Sequence, residues 1–165
     1  MKHTTIWTFL LMTISILTFG QSQNLFRIVE NDKIGYMDEK GNTVIAPVFL
    51  NANDFSEGLA SARLNSRFGF IDHTGQFIIQ PKYEYALNFK NGYARVYLDG
   101  KPLYINKHGK VVVDTCYYLV QLLDNNKAVI QTKSYNQGMI DLITNKLVID
   151  TIFSEISYYE NNLEL

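Results

Sequence analysis

The chain writes one stretch several times over, and that repetition restricts its folds more than any other feature. Residues 67–81 read RFGFIDHTGQFIIQP; ahead of them 33–47 read KIGYMDEKGNTVIAP, and behind them 101–115 read KPLYINKHGKVVVDT. A more diverged copy, NQGMIDLITNKLVID, occupies 136–150. Gly41, Gly75 and Gly109 are 34 residues apart at each step, as are Asp38, Asp72 and Asn106. Phe49, Tyr83 and Tyr117 keep the same step, as do Phe55, Phe89 and Leu123, and Ala60, Ala94 and Ala128. In the fourth copy the step stretches, with Asp141 lying 35 after Asn106 and Asn145 lying 36 after Gly109. A fixed period of this size means one supersecondary unit per repeat, each burying its apolar face against its neighbours.

The unit itself reads as β-structure. Residues 68–72 form a short run of aromatic and β-branched residues, the composition of a strand. Asp72 to Gly75 is a turn: the aspartate hydrogen-bonds nearby backbone, and the glycine supplies positive φ. Asp38 with Gly41, and Asn106 with Gly109, repeat that chemistry. Residues 76–80 return, and Pro81 is expected to end the strand because it lacks a ladder donor. A crossing over 82–90 leads to Asn91 and Gly92, then to the alternating strand 93–98, which pairs with the next copy across Asp99 and Gly100. The expectation is an all-β tandem array of three-stranded antiparallel units, open and twisted. Closure into a propeller is disfavoured because it usually takes four or more four-stranded blades. The units are a partial repeat at 24–32, repeats at about 33–66, 67–100 and 101–135, and a partial one at 136–153, together a β-repeat domain over 21–153. Residues 154–165 form a C-terminal tail, either a short helical cap or loose.

Residues 1–20 have a different character. Lys2 is the one formal charge before Arg27, and 6–19 is a mainly apolar run leading to Gly20 and a polar stretch. A cationic head, a short apolar middle and a small residue are the pattern of a cleavable secretory signal, and the run is too short and too hydroxylated for a membrane span. The expectation is a secreted, periplasmic or cell-envelope protein with no membrane span after cleavage. The single Cys116 forbids an internal disulfide and reads as a small buried hydrophobe. A formal net charge of −1 with no basic cluster argues against a nucleic-acid partner.

Candidate sites divide into turn residues and aromatics. His73 and His108 sit in turn columns that also accept Glu39 and Lys40, so they read as solvated turn positions rather than metal ligands. Asp38, Asp72, Asn106 and Asp141 share a column in which asparagine substitutes for aspartate, which suits capping better than acid–base chemistry. No catalytic residue, metal site or cofactor is expected. The aromatic columns Tyr36, Phe70 and Tyr104, and Phe49, Tyr83 and Tyr117, are expected to stack as core between units. Tyr85, Tyr93 and Tyr97 are less regular between copies and are the candidate exposed contacts for a partner or a glycan.

The pattern Lys/Arg-x-Gly-aromatic-Ile-Asp-x-x-Gly, followed by hydrophobics and proline and then Phe-x-x-Gly-x-Ala, resembles the WG-repeat (KWG) family over about residues 26–153. The namesake tryptophan is replaced by Ile34, Phe68, Pro102 and Gln137, and its glycine by Leu103 in the third copy. The resemblance implies a repeat scaffold. The expected function is an exported, non-enzymatic β-repeat module for protein–protein interaction or scaffolding, its protein partner unknown. The alternative is a cell-surface module that holds envelope glycan on its exposed tyrosines.

Overall fold

The computed structural model describes residues 24–113 and 117–157, and every regular element among them is a β-strand. The expected signal at 1–20, Cys116 and the tail beyond Ser157 lie outside the described residues. The first sheet consists of β1 (Phe26–Glu30), β2 (Lys33–Met37) and β3 (Thr43–Phe49). The second consists of β4 (Asn51–Ala52), β5 (Ala60–Leu64), β6 (Arg67–Ile71) and β7 (Phe77–Tyr83). The third contains β8 (Tyr85–Ala86), β9 (Tyr93–Leu98), β10 (Lys101–Asn106) and β11 (Val111–Val113). The fourth contains β12 (Leu119–Leu122), β13 (Lys127–Gln131), β14 (Gln137–Asp141) and β15 (Lys146–Phe153). Each is an antiparallel meander in chain order.

The all-β array is therefore present, with one addition. Each sheet after the first gains a leading strand at one edge, here termed its inner strand, that the periodicity did not suggest. In the third sheet it is only two residues long, with Tyr85 opposite Tyr97 and Ala86 opposite Val96. A strand that short leaves no alternation to detect. A single residue, Leu50 or Glu84, separates β3 from β4 and β7 from β8. The chain thus leaves one sheet and enters the next almost without a break. Sequence unit 67–100 supplies β6 and β7 to the second sheet and β8 and β9 to the third, so every sheet boundary is crossed covalently.

Proline does not end the return strand, contrary to the sequence expectation. Pro47 lies inside β3 and Pro81 inside β7, both at a register shift: Phe68 faces Tyr83 while Phe70 faces Ile79. A bulge tolerates a residue with no N–H, which is why the strand continues. The same bulge explains the glycine column. A Cβ on Gly69 would meet the Ile79 carbonyl oxygen at 2.4 Å, and one on Gly35 would meet the Ile45 carbonyl oxygen at 2.4 Å. In the third copy Leu103 stands in that column, and among the described residues β10 pairs Tyr104 with Val113 and Ile105 with Val111.

Packing between sheets follows one rule. We term front the face that each sheet turns toward the next, and rear the opposite face. Tyr36, Ile45 and Phe49 on the first front face meet Ala60, Ala62 and Ile71 on the second rear face. Phe68, Phe70, Ile79 and Tyr83 then meet Ala86, Ala94, Val96 and Ile105. Val113, with Tyr104 and Tyr117, meets Ala128, Ile130 and Ile140. Large rings against alanines let two twisted sheets approach closely, and each buried ring contributes about 1.5–3 kcal/mol. The recurrent alanine column is the small half of that contact.

Candidate functional site

The turn residues serve the fold. Asp72 Oδ1 accepts hydrogen bonds from the Thr74 amide at 2.8 Å, the Thr74 hydroxyl at 2.6 Å and the Gln76 amide at 3.1 Å. Gly75, at φ 85°, closes the turn by donating to the Asp72 carbonyl at 3.0 Å. Asp38 receives the Lys40 and Asn42 amides at 2.9 and 2.8 Å, and Gly41 sits at φ 84°. Asn106 receives the His108 and Lys110 amides at 3.0 and 3.1 Å, with Gly109 at φ 74°. Burial pushes the Asp72 carboxyl up, but the hydrogen bonds from Thr74 and Gln76 outweigh it and hold the group below its ordinary value. His73 stacks its ring on Phe55 at 4.3 Å and 15°. Beside that stack lies a cleft of about 670 Å³, also bordered by Arg27, Asp54 and Glu57. Its charges are already paired: Arg27 Nε lies 2.6 Å from Asp54, and Lys107 Nζ lies 3.2 Å from Glu57.

The three candidate tyrosines separate. Tyr93 is 6% exposed and belongs to the core between the third and fourth sheets, so its expected surface role is corrected. It opens β9 on the front face, where the fourth sheet covers it, and its hydroxyl donates to Asn126 Oδ1 at 2.9 Å. Burial raises its pKa, with a smaller push from Asp141. Tyr85 and Tyr97 stay together. They face each other across β8 and β9 with ring centroids 6.2 Å apart, and Tyr85 is 49% exposed.

Around this pair the fold assembles residues that sequence reasoning missed. Phe68 meets Tyr85 edge-on at 5.8 Å, which extends the row of rings to three. The Arg95 guanidinium lies 5.3 Å from the Tyr97 ring centre, and that of Arg63 lies 5.8 Å from Phe68. Both arginines keep a buried Nε without a hydrogen-bond partner. The available signal was strand alternation, since Arg63 and Arg95 stand on the face opposite the packing alanines of β5 and β9. Arg67 is paired with Glu84 at 3.3 Å. Glu84 also accepts the Gly100 amide at 2.9 Å, and that bond, followed by Arg67, holds its carboxyl below the ordinary value. Beneath the patch, Tyr83 is 1% exposed, its hydroxyl has no partner, and burial raises its pKa. The result is a row of rings meeting edge to face, anchored on the buried Phe68 and exposed at Tyr85, with guanidinium groups over Phe68 and Tyr97, suited to contacts with rings, carboxylates and backbone carbonyls.

Comparison with known proteins bears on the units themselves. Residues 34–67 and 68–101 match the family described as WG containing repeat. These two units are similar to WG repeats. They run from the inner part of one sheet into the next, and their glycines are Gly35 and Gly69, the positions where the return strand passes too close for a side chain. No curated protein matches the chain. Among solved structures, the computationally designed Ika8 protein is 12% identical at a TM-score of 0.44, over 78% of this chain and 46% of that one. The WD40 β-propeller domain of Doa1 is 11% identical at a TM-score of 0.34, over 75% and 49%. The chain spans about half the length of these two structures.

Proposed function

We propose that this chain is an exported, non-enzymatic β-repeat module that binds a protein partner through the surface around Tyr85 and Tyr97. The observation that carries it is the half-exposed Tyr85 ring, set in a row with Phe68 and Tyr97 and flanked by stacked arginines. Tyrosine and arginine dominate binding hot spots, because each offers a large contact area that loses little freedom once its rotamer is held. The export half of the proposal rests on the cationic and apolar pattern of residues 1–20. The test is affinity capture from the producing cell's envelope fraction, with the chain beside its Tyr85→Ser/Arg95→Ser variant. A partner held by the first and lost from the second supports the proposal; identical partner sets for both exclude this surface.

The exposed face of Tyr85 favours a second reading, in which the ring stacks on the apolar face of a sugar. Titration with envelope polysaccharides, followed by tyrosine fluorescence, distinguishes the two. Saturable quenching that Tyr85→Ser abolishes would support the glycan, and an unchanged signal across a broad panel would remove it.

A further inference from the structure

Among the described residues the second, third and fourth sheets each have four strands and the first has three. In the second, third and fourth sheets an inner strand pairs with the strand after it: Asn51 and Ala52 lie opposite Arg63 and Ala62, Tyr85 and Ala86 opposite Tyr97 and Val96, Leu119 and Val120 opposite Gln131 and Ile130. Among the described residues the first sheet has three strands, in the order β1-β2-β3, so β1 stands at its edge. Val29 on that edge is 72% exposed.

At the other end, residues 154–156 follow Phe153 with the spacing that Leu50 to Ala52 have after Phe49. Phe153 lies opposite Gln137 as Phe49 lies opposite Ile34 and Tyr83 opposite Phe68. Ala52 and Ala86 are the third residues after Phe49 and Tyr83, and Ile156 is the third after Phe153. Ile156 is seated as that column requires, packed on the front face of the fourth sheet against Leu123, Val129 and Met139. Its amide donates to Gln137 Oε1 at 2.8 Å.

The rear face of the first sheet is the other half of the match. Phe26, Ile28 and Met37 occupy the columns of Ala60, Ala62 and Ile71. Those three are sealed by the preceding sheet at 0% exposure, whereas Phe26 is 48% exposed. On the fourth sheet, Phe153 holds the column of the buried Phe49 and Tyr83 and is 47% exposed.

We propose that the occupant of both ends is a second copy of this chain, joined head to tail. The front face of one copy's fourth sheet packs on the rear face of the other's first sheet, and residues 155–156 add a strand along the β1 edge. The interface follows the columns of the one the molecule already repeats internally, with Phe26 and Ile28 standing where the later sheets carry Ala60 and Ala62, and strand addition to an open edge is an established mode of recognition. By the observed register, residue 155 falls opposite Val29 and Ile156 opposite Ile28. A heterologous contact of this kind closes into a ring or runs on as a filament, according to the rotation between copies. It is a separate surface from the Tyr85 patch and stands or falls independently of it.

Cross-strand Cα pairs lie about 4.5–5.5 Å apart, within the roughly 4.4–6.8 Å that a disulfide spans. Two single-cysteine variants, Val29→Cys and Glu155→Cys, each also carrying Cys116→Ser, are purified, mixed and oxidised. The expected result is a covalent species of twice the chain mass in the mixture, formed by neither variant alone. A Val29→Cys product linked to itself would overturn head-to-tail joining. A chain carrying both cysteines that cross-links only within itself would show closure of one copy and overturn the second-copy occupant. Sedimentation of the unmodified chain is the independent check: a mass above one chain that Phe26→Asp returns to monomer supports the interface. A monomer at every concentration reached overturns it.

Discussion

Replacing Gly69 by alanine tests the central geometry of the array. The new Cβ would stand 2.4 Å from the Ile79 carbonyl oxygen and 2.8 Å from the Pro81 nitrogen, both backbone atoms of β7. Carbon and oxygen do not ordinarily approach closer than about 3.3 Å, so β6 and β7 must separate by about 1 Å. That movement displaces Ile79 and Tyr83, two buried members of the second interface, and stretches the ladder beside the bulge. Overpacking of this kind costs about 1–3 kcal/mol, and a weakened ladder bond adds about 1 kcal/mol. The expected loss is therefore about 2–4 kcal/mol, or a melting temperature lower by about 5–15 °C for a chain of this size. Gly58→Ala is the control. Gly58 differs in having positive φ, at 88°, and a Cβ there meets nothing within 4 Å. Only the left-handed backbone penalty of about 1–2 kcal/mol applies to it. Urea unfolding followed by far-ultraviolet circular dichroism measures both. If Gly69→Ala costs no more than Gly58→Ala, the close passage of β7 is not what requires glycine in this column.

Two tyrosines buried in successive interfaces should respond oppositely to loss of their hydroxyls. Tyr36→Phe removes a 2.6 Å hydrogen bond to the Asn53 carbonyl and should cost about 1 kcal/mol, whereas Tyr83→Phe removes an unpartnered buried hydroxyl and should be neutral or stabilising by denaturant titration. Acid should weaken the fold through Asp38, Asp72 and Asp141, whose carboxyls are held below their ordinary value: their contribution is complete above the unfolded pKa of about 4 and disappears as pH falls below it. Asp72→Asn should remove part of that acid dependence while changing stability at neutral pH by less than about 1 kcal/mol, because Asn106 already caps the equivalent turn. Alkali should act through Tyr36, Tyr83 and Tyr104, which burial raises: their contribution is intact below about pH 10 and is lost as pH climbs toward the folded values, as absorbance near the phenolate band would report.

Much of this architecture was legible in one dimension because its causes are local. The turn at Asp72 and Gly75 needs only a side-chain acceptor and a residue free to take positive φ, and both are written at a fixed spacing. Stacked aromatic columns follow from the period alone, since identical units must bury identical faces against one another. Contacts set by a neighbouring strand were not legible. Tyr85 and Tyr93 look equivalent as sequence, yet the fourth sheet seals one while the other stands on a two-residue edge strand. The glycine preceding each front-face aromatic looked like a motif letter; only the passage of β7 across Gly69 gives it a steric cause. Nor could spacing show that Pro81 lies in a bulge, that Arg63 and Arg95 flank one aromatic row, or that Ile156 is seated as the start of another strand. Sequence by itself determined the repeating unit, its turns and its buried columns, because these depend on propensity and periodicity along the chain. Tertiary structure decided which equivalent positions are sealed and which are open, because exposure depends on what packs across the gap between sheets.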